Sequence, residues 1–204
     1  MMNKTFVLAS NNAHKLREFK EIFSLLGIEV LTLKEAGVQV DPEENGTTFA
    51  ENAMIKARAV FDRCHLPTVA DDSGLCVDAL DGEPGVYSAR YGHQPDDAAR
   101  RKYLLKRLNE TGATDRRAHF TSAIACVLEE DCSFTVEGHC YGKIAMEEAG
   151  ENGFGYDSLF CPEDFGGKTF AQISAEEKNA ISHRGRALEK FTIKIKDMQG
   201  ENNG

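Results

Sequence analysis

The first thirty residues constrain the fold most. Thr5 to Ala9 form an apolar run of strand length, and three polar residues, Ser10, Asn11 and Asn12, separate it from a helical pattern. In that pattern Leu16, Phe19, Ile22, Phe23 and Leu26 fall on one face. A further apolar run, Glu29–Leu33, reads as a second strand. Strand, helix and strand in quick succession commit the chain to a sheet with helices packed on it.

The remainder supports a mixed sheet. After the acidic loop "DPEENG", the segment "TTFAENAMIKARAVFDRC" (residues 47–64) reads as a helix, with Thr47 or Thr48 in capping position before Glu51. "PTVADDSG" reads as a strand running into a turn, and "LCVDAL" as a short strand beyond it. "PDDAARRKYLLKRLNE" is an amphipathic helix with acids in its first turn. Two long strands joined near Glu129–Cys132 form a hairpin, and residues 174–197 close the chain as one helix capped by Ser174, with Glu177 three residues on. Alternation plus a hairpin predicts an α/β or α+β fold, and two lobes sharing one long sheet fit the pattern. No linker or internal repeat divides the 204 residues, so a single domain is expected.

Composition narrows the partners. A formal charge of −9 argues against a nucleic-acid groove or an anionic membrane surface as the main partner. A small phosphorylated ligand remains compatible, because local cations override the net charge at close range. Six cysteines contain no C-x-x-C pair, so reduced thiols are expected rather than a zinc site. The chain runs from MMNKTFVLAS directly into a strand and contains no long apolar span, which predicts a cytoplasmic location.

Four polar clusters stand at strand ends or in short turns. Ser10, Asn11 and Asn12 with Lys15 could cradle an anion at a helix start, though Asn12 could equally be a plain cap. Glu43, Glu44 and Glu51 form the second cluster, and Asp71–Asp72–Ser73–Gly74 the third. Successive strand residues face opposite sides, so one aspartate can face a cleft while the other braces the turn. Hard oxygen donors of this kind suit Mg²⁺ held with waters and substrate phosphates, and a simple turn is the bland alternative. In the fourth cluster Gly153 and Gly155 permit close backbone approach, and Phe154 and Tyr156 offer flat faces. Asp157, Lys178, Ser182, His183 and Arg184 add donors and acceptors there, with Lys178 and Ser182 one helical turn apart. An anion cradle, acidic ligands and an aromatic polar pocket together point to a nucleotide. The absence of a Ser-His or Cys-His pair favours activated water, and hence phosphoanhydride hydrolysis.

Five segments in order, "LASNNAHKLREF", "EENGTTFAENAMIKA", "VADDSGLCVDALDGEPGVYSARY", "GFGYDSLF" and "SAEEKNAISHRGRAL", resemble the inosine/xanthosine triphosphate pyrophosphatases, which remove deaminated purine nucleotides. The resemblance runs from Val7 to about Leu188. It implies an elongated mixed sheet flanked by helices, two lobes with a central cleft, and a homodimer. It implies Mg²⁺-dependent hydrolysis of ITP, dITP and XTP to the monophosphate and pyrophosphate. By the same resemblance Ser10, Asn11, Asn12, Ala13, His14 and Lys15 hold the triphosphate. Asp72 is general base and metal ligand, Ser73 touches substrate, and Phe154, Gly155, Tyr156, Asp157, Lys178, His183 and Arg184 line the nucleotide pocket. Glu43 aligns as the second metal carboxylate, with Glu44 as the alternative; members often carry Thr-Gly-Asn where this chain has Ser10–Asn12. A Maf-like pyrophosphatase for pyrimidine or modified nucleotides, and a non-catalytic nucleotide sensor, are the competing readings.

Overall fold

The computed structural model describes residues 5–201, without the side chains of His14, Gln199 and Glu201. The early pattern folds as read: β1 (Thr5–Leu8), α1 (Ala13–Leu25) and β2 (Glu29–Thr32) are followed by α2 (Phe49–Cys64) and β3 (Thr68–Val77). Then come α3 (Asp97–Glu110), the paired strands β4 (Arg117–Glu129) and β5 (Cys132–Ile144), the short β6 (Phe160–Pro162), α4 (Ala175–Ile181) and α5 (His183–Glu201). The strands form one six-stranded sheet in the order β2-β1-β3-β4-β5-β6. β1 runs parallel to both β2 and β3, while β6 is antiparallel to β5. Only two residues join β4 to β5, a connection antiparallel strands alone can make. The mixed α/β architecture is therefore as anticipated.

The helix starts follow local chemistry. Thr48, not Thr47, caps α2: its hydroxyl accepts the Glu51 N–H at 3.1 Å, and the Glu51 carboxylate takes the Thr48 N–H at 3.1 Å. Ser174 and Glu177 form the same reciprocal pair at α4. That helix stops sooner than its periodicity suggests. Ser182 is extended (φ −66°, ψ 157°), and its hydroxyl accepts the Gly185 N–H at 3.1 Å, so it caps a new helix. A Cβ on Gly185 would run into the Asn179 carbonyl, and the glycine permits this tight junction. The expected turn in "ADDSG" is likewise absent. Thr68–Val77 is one continuous strand, with the aspartates inside it.

The chain divides into two units. The first comprises the chain through Asp72, Ala123–Glu137 and the part from Ala187 onward; the second comprises Ser73–Ser122 and Gly138–Arg186. In the first, Phe6, Leu8, Phe19, Phe23, Val69, Ile124, Leu188, Phe191 and Ile195 pack together. In the second, Leu75, Val77, Leu104, Leu108, Phe120, Leu159, Phe160 and Phe170 form the core. All six cysteines are free, with Cys126, Cys140 and Cys161 buried. Among the described residues no helix is long and apolar enough to cross a membrane.

Phe191 is wholly buried, stacked on Phe23 at 5.1 Å between centroids and 5.7 Å from Phe134. Phe191→Ala removes a core aromatic and is expected to lower unfolding free energy by about 3–5 kcal/mol, read from urea midpoints.

Candidate functional site

The phosphate-binding segment anticipated from sequence lies where the strand order reverses, β2 and β3 standing on opposite sides of β1. β1 has parallel neighbours on both sides, and in open α/β sheets such a strand opens a crevice at its carboxyl end. Residues 10–15 leave from that end. Asn12 does cap α1, its side-chain oxygen accepting the Lys15 N–H at 3.3 Å and its own N–H donating to Ser10 Oγ at 3.1 Å. Capping and anion binding are compatible here, because a helix start presents several amides without intrahelical partners. Asn11 borders an open groove of about 950 Å³ shared with Lys34 and Arg63. The side chain of His14 lies outside the described residues.

Asp71 and Asp72 face opposite sides of β3, and each meets a lysine from a different helix. Lys15 Nζ pairs with Asp71 Oδ2 at 2.7 Å and donates to the Asp71 carbonyl at 3.2 Å. Asp71 is 1% exposed and aims Lys15, using two of the ammonium's three donors. On the other side Lys56 Nζ lies 2.7 Å from Asp72 Oδ1 and 3.1 Å from Glu44 Oε2. Burial raises the Asp72 carboxyl above the usual range against the pull of Lys56 and Lys15, with Glu44 adding repulsion. Burial opposes the charge on Lys56, yet Asp72 and Glu44 hold its pKa above that of an ordinary lysine.

Two acids thus converge on one cation, the Lys56 ammonium. Among the described residues no group of three His, Cys, Asp or Glu could hold a metal unaided. Asp72 and Glu44 fit the kind of Mg²⁺ site in which one or two carboxylates are joined by water and substrate phosphates. Asn52 supports the loop that carries Glu44: its side-chain oxygen accepts the Gly46 N–H at 2.8 Å. Among the described residues its Nδ2 is buried with no hydrogen-bond partner, a donor still to be satisfied on the helix face that bears Lys56. Glu43, first choice from alignment, is exposed, and its carbonyl accepts the Asn45 N–H at 3.1 Å. The structure thus brings Glu44, rather than Glu43, to Asp72.

The second unit holds the other set. Asp157 Oδ2 accepts from Lys178 Nζ at 2.6 Å and from the Phe154 N–H at 2.9 Å. Lys178 lies 4.9 Å above the Phe154 ring and 5.5 Å from that of Phe170. Arg184 Nη2 donates to Ser73 Oγ at 3.0 Å, and His183 stacks on Phe120 at 4.7 Å. Asp157, Lys178, His183 and Arg184 are each at most 9% exposed. A hollow of about 200 Å³ opens beside Phe154, Gly155 and Asp157. Tyr156 departs from expectation. Its ring belongs to the core and its hydroxyl donates to the Ser88 carbonyl at 3.0 Å, so only its backbone remains for a ligand.

Sequence reasoning missed Lys56, Asn52 and the role of Asp71. A signal existed for Lys56: it shares the buried stripe of α2 with Ala53, Ala57 and Val60, an odd place for a lysine without a carboxylate to meet.

Comparison with known proteins follows the same lines. The Ham1 family matches residues 6–194. A dITP/XTP pyrophosphatase of Clostridium perfringens is 45% identical over 202 residues, covering 96% of this chain and 98% of the relative. One of Treponema denticola is 46% identical over 183 residues, covering 89% and 93%. The solved structure of a HAM1 protein from Coxiella burnetii superimposes with a TM-score of 0.89 at 41% identity, covering 97% of this chain and all of that one. With its fold and nearly its whole length matched, this chain belongs to the Ham1 family.

Proposed function

We propose that this protein hydrolyses the triphosphates of deaminated purines, ITP, dITP and XTP, to the nucleoside monophosphate and pyrophosphate. The observation that carries the reading is the Asp72–Lys56–Glu44 group within β3 and its surroundings, a buried acid beside a fixed cation. Relatives named dITP/XTP pyrophosphatase at 45–46% identity support the same reaction. The protein acts as a homodimer in the cytoplasm on the free nucleotide pool.

In this mechanism Asp72 takes a proton from water as its oxygen attacks the α-phosphorus. The bond to the bridging oxygen then breaks, and that oxygen leaves on pyrophosphate. A carboxyl whose pKa burial has raised is a better base than an exposed one. Lys56 orients Asp72 and offers its remaining donor to a phosphate oxygen. Lys15, aimed by Asp71, and the first amides of α1 stabilise the charge that builds on the leaving group. Mg²⁺, held by Asp72 and Glu44 with substrate phosphates, would supply Lewis-acid neutralisation of the triphosphate. Arg184, steadied by Ser73, donates to the 6-oxo group of hypoxanthine or xanthine; adenine, with an amino group there, leaves donors facing each other. Lys178, Asp157 and Phe154 shape the remainder of the base pocket.

Asp72→Asn is expected to keep the fold and lower turnover by more than about a hundredfold, the scale of a lost base or ligand. Near-normal pyrophosphate release from that variant would remove Asp72 from the role. Chelation of divalent cations should abolish pyrophosphate release by the unaltered protein, with activity restored by added Mg²⁺. A panel of triphosphates with pyrophosphate and phosphate measured separately tests the base preference. ITP and XTP should outrun ATP and GTP, and equal rates would sink the specificity argument. Binding of ITP with no release under any metal condition would instead mark a nucleotide sensor.

A further inference from the structure

The loop that carries Phe154 is held from outside by a helix with no assigned part in recognition. Gly155 (φ +61°) donates its N–H to Asp97 Oδ2 at 3.0 Å, and its carbonyl accepts from Arg101 Nη1 at 2.9 Å. Both polar groups of one peptide residue are thus taken by side chains one turn apart on α3, which share a helix face. Arg101 is braced in turn. Its Nε donates to Glu148 Oε2 at 2.7 Å, and Ser158 Oγ donates to that same oxygen at 3.1 Å. Asp97 is also paired with Arg100, and Arg100, the Gly155 N–H and Arg101 together hold it ionised although burial opposes the charge.

A purely structural staple does not account for this clamp. α3 is already anchored, with Leu104 and Leu108 fully buried and Asp96 capping its start through the Ala99 N–H at 2.8 Å. Arg101 also lines the 200 Å³ hollow together with Phe154, Gly155 and Asp157. On the adjoining residues the Phe154 N–H and Lys178 share Asp157 Oδ2, so displacing Gly155 displaces that pair.

Resting on the proposed function, we propose that Asp97 and Arg101 are positioning residues for base recognition: they fix Gly155, and through it the Phe154 ring and the Asp157–Lys178 pair, at the spacing a 6-oxopurine requires. Neither touches the reacting phosphates, so their loss should weaken base binding more than the chemical step.

The test is steady-state pyrophosphate release by the full chain from ITP and ATP, with thermal unfolding recorded alongside. For Arg101→Met the KM for ITP should rise about tenfold with kcat within about twofold, because a loosened site loses binding shared by ground and transition states. The ITP-to-ATP ratio of kcat/KM should fall in parallel. Arg101→Lys reaches one of the two acceptors and should recover part of both changes. If Arg101→Met fails to fold, Arg101→Lys and Asp97→Asn carry the test, each with an expected rise in KM of about threefold. KM and ratio unchanged in folded variants, with only the melting temperature lowered, would overturn the proposal and leave a simple staple. Failure of the unaltered protein to release pyrophosphate from ITP or XTP would overturn the underlying reading instead, and the two results are told apart by that control alone.

Discussion

Two carboxylates side by side in the middle of a buried strand are a burden that the rest of the first unit is arranged to meet. Ionised groups removed from water are destabilising by several kcal/mol each unless paired and hydrogen-bonded. Asp71 meets Lys15 from α1 and Asp72 meets Lys56 from α2, one on each side of β3. Each helix must therefore be docked at one rotation and one height. The capping box at Thr48 sets where α2 begins, and hence which residue reaches Asp72. Function and stability share these two pairs. Removing either lysine would leave a buried charge unmatched, as well as emptying a position suited to phosphate.

The second unit solves a similar problem with a different geometry. Lys178 and Asp157 are both nearly buried, and the pair is completed by a backbone amide and two aromatic faces rather than by a second carboxylate. Close approach by Gly153 makes this compact. Its φ of +78° suits glycine, and a Cβ there would strike the Asp157 carboxylate. The rigidity of the segment thus comes from many short polar contacts, where the sheet relies on apolar area.

Much of this was legible in the sequence wherever a local rule decides the outcome. β1 and α1 follow from apolar runs and a 3.6-residue period, and the starts of α2 and α4 follow from reciprocal Thr–Glu and Ser–Glu pairs. Reading failed where distant residues decide. "ADDSG" has turn composition, and only lysines 56 and 16 residues away in the chain make it strand. The periodicity of residues 174–197 runs on through Ser182, while the cap that ends α4 depends on a backbone collision avoided at Gly185. Tyr156 among polar neighbours looked like a ligand face, yet its ring fills the core because Ser88 offers its hydroxyl an acceptor. Glu43 and Glu44 are adjacent in the acidic loop, and only the pairing of Glu44 with Lys56, a residue of the next helix, distinguishes them.

The burial of cations has a consequence for how far their charge reaches. The chain carries a formal charge of −9, yet Lys178 and Arg184 are almost inaccessible and Lys15 and Lys56 are only about one-sixth exposed. Beyond roughly 8 Å salt screens individual charges, so cations set this deep have little reach into the solvent. The attractive charges act only at contact range, on an anion small enough to enter. Set back in this way, the positive groups are felt only by a group that reaches them, so their charge is spent on what is in contact with them and not on the surrounding solution.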